Sequence, residues 1–181
     1  MTRDEAWTLV QEQVSNKNLR KHMLASEAVM RRLARHLEED EEVWGLAGLV
    51  HDLDYDQTVN DFPRHGIVSA QMLEGRGVSD AVIHAVKSHP GHFPRTSLLD
   101  HALYAVDPVT GLIVAAALMH PAKKLKPVDV DFIERRFGEK RFAAGANRDQ
   151  IKTCEAFGVP LRDFIALSLE AMQGINGELG L

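Results

Sequence analysis

The chain has 181 residues, 45% of them apolar and 26% charged, the make-up of an ordinary globular fold with a sizeable core. A net charge of −5 excludes a basic field for nucleic acid or for an anionic membrane. The one cysteine, Cys154, excludes an intramolecular disulfide and a cysteine-rich zinc site.

In chain order, the pattern is helical almost throughout. The start, MTRDEAWTLV, is acidic and mixed, which reads as neither a secretory signal nor a transit peptide. Thr2 with Glu5 predicts a capping box, and Trp7, Val10 and Val14 follow at helical spacing. Asn16-Lys17-Asn18 reads as a turn. A second helix carries Leu19, Met23, Leu24, Leu33 and Leu37 and ends near the acidic run Glu38 to Glu42, which reads as a solvated turn with charge at the next helix start. A third helix runs to about His51. Asp54 to Pro63 is polar and without periodicity, so a loop is expected there. A fourth helix spans Gly66 to Leu73 and ends in Gly75-Arg76-Gly77. Ser79 caps a fifth, which Pro90-Gly91 stops.

Ser97 begins a long sixth helix reaching about Met119, with an interruption expected at Asp107-Pro108. Pro121 to Pro127 forms a basic loop. Asp131 to Phe137 is a short helix, Asn147 with Gln150 opens another, and Pro160 to Gln173 reads as the last. No stretch alternates with period two long enough for a strand, so the expected fold class is all-α. Without repeat, low-complexity tract or linker, residues 1–181 read as one domain, its motif core at about 20–120 and a helical extension at 121–181. The longest apolar run, Leu112 to Met119, falls far short of the roughly 20 residues of a membrane helix. A soluble, cytoplasmic protein without membrane association is the expectation; the sequence carries no signal for its oligomeric state.

Nine histidines are the most informative feature. His22 and His36 stand 14 residues apart on one helix, about 21 Å in space, so they cannot share an ion. His36 reads as surface. His22, beside Met23 and Leu24, reads as an inward residue, a core histidine or a ligand. His51 and Asp52 are adjacent and follow the apolar run Val43 to Val50, so one ion can meet both only against a helix end. His65 opens the fourth helix, His89 closes the fifth, and Asp107 precedes Pro108. Side chains at helix ends can converge. Imidazoles and carboxylates together suit zinc, iron, manganese or nickel.

The order His22, His51-Asp52, His65, His89, Asp107 resembles the HD-domain superfamily of metal-dependent phosphohydrolases, named for its adjacent His-Asp pair. The tail, with "LYAVDPVTGLIVAAALMHPAKKL" and "RRFGEKRFAAGANRDQIKTCEAFG", looks like a bacterial and archaeal subfamily of uncharacterised predicted HD hydrolases. The resemblance implies an HD-type helical bundle with additional C-terminal helices. It implies a first metal on His22, His51, Asp52 and Asp107, and a second on Asp52, His65 and His89, with Asp52 bridging. His51 and Asp52 would be the catalytic pair. One or two divalent ions (Fe, Mn, Zn, Ni, Co or Mg) would supply a metal-bound hydroxide for hydrolysis of a small phosphate ester, nucleotides among the candidates.

Many members of that superfamily read His-Asp-Ile-Gly, often followed by Lys, where this chain reads His51-Asp52-Leu53-Asp54-Tyr55. A phosphate-side lysine is absent there and Asp54 adds negative charge, which bears on the substrate class more than on the metal. His84, Lys87 and His92 are weaker candidates for substrate contact. Lys123, Lys124, Arg135, Arg136, Lys140, Arg141 and Arg148 are candidate phosphate-recognising cations. A metal-binding module without turnover, acting as a sensor or partner-binding domain, and oxygen-dependent chemistry on a di-iron centre are the alternative readings.

Overall fold

The computed structural model describes residues 1–181 as eleven α-helices and two 3-10 turns, with no strand. The helices are α1 (Arg3–Gln13), α2 (Lys17–Leu37), α3 (Glu41–Val50), α4 (Tyr55–Thr58), α5 (Ile67–Leu73), α6 (Asp80–Ser88), α7 (Leu98–Met119), α8 (Val130–Gly138), α9 (Arg148–Lys152), α10 (Leu161–Gly174) and α11 (Asn176–Leu179). The fold is all-α.

Local chemistry sets most of the boundaries. The Thr2–Glu5 capping box forms in both directions. Asn16, read above as part of a turn, is instead the N-cap of α2, its Oδ1 accepting from the Asn18 and Leu19 amides. Asp40 caps α3 and Ser79 caps α6 in the same way. Ser97 and Asp100 close a second capping box at α7. The acidic run is spent on the αL stop at Glu38 and the cap at Asp40.

Several expectations need correction. The 54–63 segment is not a plain loop: it holds the one-turn helix α4 and a 3-10 turn at Phe62–Arg64. A 3-10 turn at Thr153–Phe157 follows α9, and α11 follows α10, so the helix begun at Pro160 is not the last. The interruption at Asp107-Pro108 does not occur, because α7 runs unbroken through Pro108. Proline there removes the amide that would bond the Tyr104 carbonyl. The Gln150 side chain supplies the missing donor, Nε2 to the Tyr104 oxygen at 2.8 Å. α9 thus repairs a helix one turn from Asp107.

One cluster of 43 buried apolar residues runs from Ala6 to Leu179, with α7 at its centre. α2 packs most extensively on α3, then on α10 and α7. By length and composition α7 could cross a membrane, contrary to the expectation drawn from its apolar run alone; 56% of its most apolar stretch is buried in the fold, as in a core helix.

Two glycines set the spacings that matter for the site. A β-carbon on Gly48 would stand 2.6 Å from the Ser26 carbonyl oxygen, so α3 lies backbone-to-backbone against α2. Gly66 has φ +76, and a β-carbon there would meet Pro90 at 2.8 Å and the Val86 carbonyl at 2.9 Å. The start of α5 is thereby pressed against the end of α6.

Candidate metal centre

The two close approaches deliver imidazoles to one place. α2 carries His22, and α3 ends at His51, whose Nε2 lies 3.1 Å from the Nε2 of His22. The end of α6 carries His89, and the residue before Gly66 is His65; their Nε2 atoms are 3.2 Å apart. Asp52 stands between the pairs. Its Oδ1 is 3.3 Å from His65, 3.3 Å from His89 and 3.5 Å from His51, while its Oδ2 is 3.5 Å from His22. Asp107, on α7, completes the row with Oδ1 at 3.2 Å from His22 and 3.9 Å from His51. All six residues singled out in the sequence as metal ligands therefore stand together. Two three-ligand groups are compact enough to hold an ion, His22–His51–Asp107 and His51–Asp52–His89.

Each imidazole has its other nitrogen engaged outward. His51 Nδ1 donates to the Gly48 carbonyl at 2.9 Å, and His89 Nδ1 to the Val86 carbonyl at 2.6 Å. His65 Nδ1 meets Asp54 Oδ1 at 2.8 Å. His22 Nδ1 meets Thr110 Oγ1 at 2.9 Å, and that hydroxyl already donates to the Asp107 carbonyl, which leaves its lone pairs for the ring N–H. A carbonyl can only accept, so the proton of His51 and of His89 is fixed on Nδ1. The four Nε2 atoms then face one another and two carboxylates across about 3 Å, and on His51 and His89 that position is a bare lone pair. Only positive charge relieves that arrangement, and outward-bonded imidazoles with inward Nε2 are how ligating histidines are oriented. The donor set fits a divalent cation.

Residues 19–118, more than half of the chain, match the family model of the HD domain. The chain belongs to the HD-domain family. No curated protein and no solved structure matches it significantly. The His-Asp pair of this HD domain is His51-Asp52, at the foot of α3, and both residues are buried.

The electrostatics of the HD centre follow from its burial. Desolvation pushes the His51 imidazole down to about 4, which keeps it neutral at pH 7. His65 goes the other way, up to about 10: burial opposes its charge, but Asp52 and Asp54 outweigh burial. Asp52 is held well below the usual carboxylate range although burial disfavours its charge, because His51, His65 and His89 surround it. A cation held here would take the place of that proton on His65.

Asp54 was read as extra negative charge near the substrate. Instead its side chain is fully buried, accepts from the Ser69 amide at 2.9 Å and orients His65. Asp54 ends the buried stretch Leu49 to Asp54, and its partner Ser69 lies fifteen residues on, so no local sequence signal marks it. Asp56 does lie away from the centre, accepting from the Ser15 amide and hydroxyl. Thr110 was not singled out, although it is the one Ser or Thr in α7 and stands three residues past Asp107.

The weaker candidates make other contacts. His84 pairs with the buried Asp100 at 3.0 Å, and Lys87 lies 4.3 Å over the Phe93 ring. His92 donates to the Phe62 carbonyl at 2.9 Å, one ring outside His65. Arg148 is no phosphate ligand: its guanidinium donates to the carbonyls of Arg136, Phe137, Phe142, Ala143 and Ala146. It thereby orders the 142–146 loop. Arg136 pairs with Glu139, while Lys123, Lys124, Arg135, Lys140 and Arg141 are exposed.

Two cavities open on the HD centre. One, of about 400 Å³, is lined by His22, Asp107, Gly111 and the 143–146 loop. The other, of about 450 Å³, is lined by His22, Thr110, Gly111, Val114, Leu118 and the α11 end.

Proposed function

We propose that this HD-domain protein is a metal-dependent phosphohydrolase acting on a small phosphate ester. The observation that carries the reading is the inward orientation of four Nε2 atoms around Asp52, with His22 lining two cavities and Asp107 one of them. His22, His51 and Asp107 would hold one divalent ion on the cavity side, and Asp52, His65 and His89 a second on the buried side. Such ions, when bound, activate water at neutral pH and neutralise charge on phosphate oxygens. Asp52 presents one oxygen to each side and so ties the two positions together. The neutral His51 remains a lone-pair donor at pH 7. The protein walls behind His65 and His89 exclude water, which strengthens every charge interaction within. Arg148 holds the loop that forms one wall of the approach to Asp107.

The test is hydrolysis of simple phosphomonoesters and phosphodiesters by manganese-loaded protein, with metal content measured on the same sample. Turnover that a chelator abolishes and manganese restores is expected. Folded, metal-replete protein that turns over neither ester class removes the reading and leaves a metal-binding module.

A further inference from the structure

Gly111 lies inside α7, where glycine favours the helix less than alanine does. Close packing does not demand it. A β-carbon built there meets nothing within 4 Å, and its backbone is ordinary helix. The empty space is the two cavities themselves, which share His22 and Gly111. Asp107, Gly111, Val114 and Leu118 recur at helical spacing and form one stripe along α7. The stripe changes from a candidate ligand to a bare backbone to two apolar side chains, over about 16 Å. Leu118 is 52% exposed at the C-terminal end of α7, next to Met119 at 58%. Across the trough from it stand Ala25 and Leu179.

We infer that the two cavities are arms of one substrate cleft with Gly111 as its waist. The substrate is a phosphate monoester of an apolar alcohol, its phosphate at His22 and Asp107 and its apolar group along Val114, Leu118 and Leu179. The inference rests on the phosphohydrolase reading for the phosphate end. The polar and apolar ends of the trough match the two ends of such a molecule, and an open volume of about 450 Å³ is that of a small-ligand site. A leucine at Gly111 would close the waist without a clash at its β-carbon and with better helix propensity, so the variant is expected to fold.

The experiment is calorimetric binding of methyl-, butyl-, hexyl- and octylphosphonate, which cannot be hydrolysed, to manganese-loaded protein. Affinity is expected to rise about threefold per added methylene from butyl to octyl, as partial burial of each group gives. Gly111→Leu should flatten that rise while elemental analysis finds its metal unchanged. Leu118→Asp, at an exposed position, should weaken octylphosphonate about tenfold more than methylphosphonate. Equal affinity across the series in the natural protein, no binding of any member, or the same rise in both variants overturns the inference. Hydrolysis of the matching alkyl phosphates is read separately. A chain-length dependence without turnover keeps the cleft and removes the phosphatase, and turnover without it does the reverse.

Discussion

The HD centre has two ends of opposite character. At one end His22 and Asp107 keep 21% and 33% of their side-chain surface open and face the cavities. At the other, His65 and His89 keep 9% and none, and Phe62 and Asp54 lie against His65. The ligand chemistry is the same at both ends, imidazole with carboxylate. The supports differ: a neutral hydroxyl, Thr110, orients His22, whereas a buried carboxylate, Asp54, orients His65. An ion at the closed end would be held by more negative charge and less water than an ion at the open end. On the proposed phosphohydrolase reading, the open end would meet substrate and the closed end would hold the more firmly bound ion.

Asp52 is the residue both ends share, so its removal breaks the comparison outright. Asp52→Ala takes a ligand from each position and leaves two cations facing with less compensating charge. Metal affinity should fall by more than about 100-fold at both positions, since loss of a mere supporting residue costs about 10–100-fold. Metal content and hydrolysis rate, measured on protein shown to be folded by circular dichroism, check this. Full metal content in that variant would end the assignment of Asp52 as the shared ligand.

The ligands of both ends are legible in the sequence, whereas their supports are not. Thr2, Ser79 and Ser97 announced their helices, and the apolar spacing gave α2, α3, α6 and α7. The His-Asp pair stood out because charge rarely follows a run like Val43 to Val50. Asp54 was misjudged because the polar stretch beyond it hides that the chain turns back inward; its place is set by Ser69 on α5, fifteen residues on. The continuity of α7 through Pro108 was equally unreadable, because it depends on Gln150, 46 positions from the carbonyl it caps. Local signals show the elements, while such long-range partners follow only from the packing.

The second largest effects belong to the glycines that bring the imidazoles of each end together. Gly66→Ala meets Pro90 and the Val86 carbonyl and must also hold a left-handed backbone. Strain and overpacking together are expected to cost about 2–4 kcal/mol. Gly48→Ala meets only the Ser26–Glu27 backbone, at 2.6–2.8 Å, and should cost about 1–3 kcal/mol. For a chain of this size each kcal/mol lowers Tm by about 2–4 °C. Thermal melts of both variants, with and without manganese, give the order. A Gly66→Ala protein that melts with the natural one would contradict the close approach of α5 to α6.

The smallest effects come from removing one support from each end. Asp54→Ala leaves the Nδ1 of His65 without its carboxylate in a buried site, and the Ser69 amide without its acceptor. Metal affinity at the closed end should drop by about 10–100-fold. Thr110→Val keeps the volume and removes the neutral hydroxyl that accepts from His22 and donates to the Asp107 carbonyl, beside a cavity where water can replace it. Its loss should stay below about tenfold, the upper end of what a neutral hydrogen bond contributes. Asp56→Ala, whose carboxylate bonds only Ser15, should leave metal content unchanged. Metal titrations of the three variants against the natural protein decide the order. Equal losses in Asp54→Ala and Thr110→Val would mean that burial does not separate the two ends, and the cavity side would lose its claim to be the weaker, exchangeable position. A loss confined to Asp54→Ala would instead mark the closed end as the one whose metal is set by protein charge rather than by access.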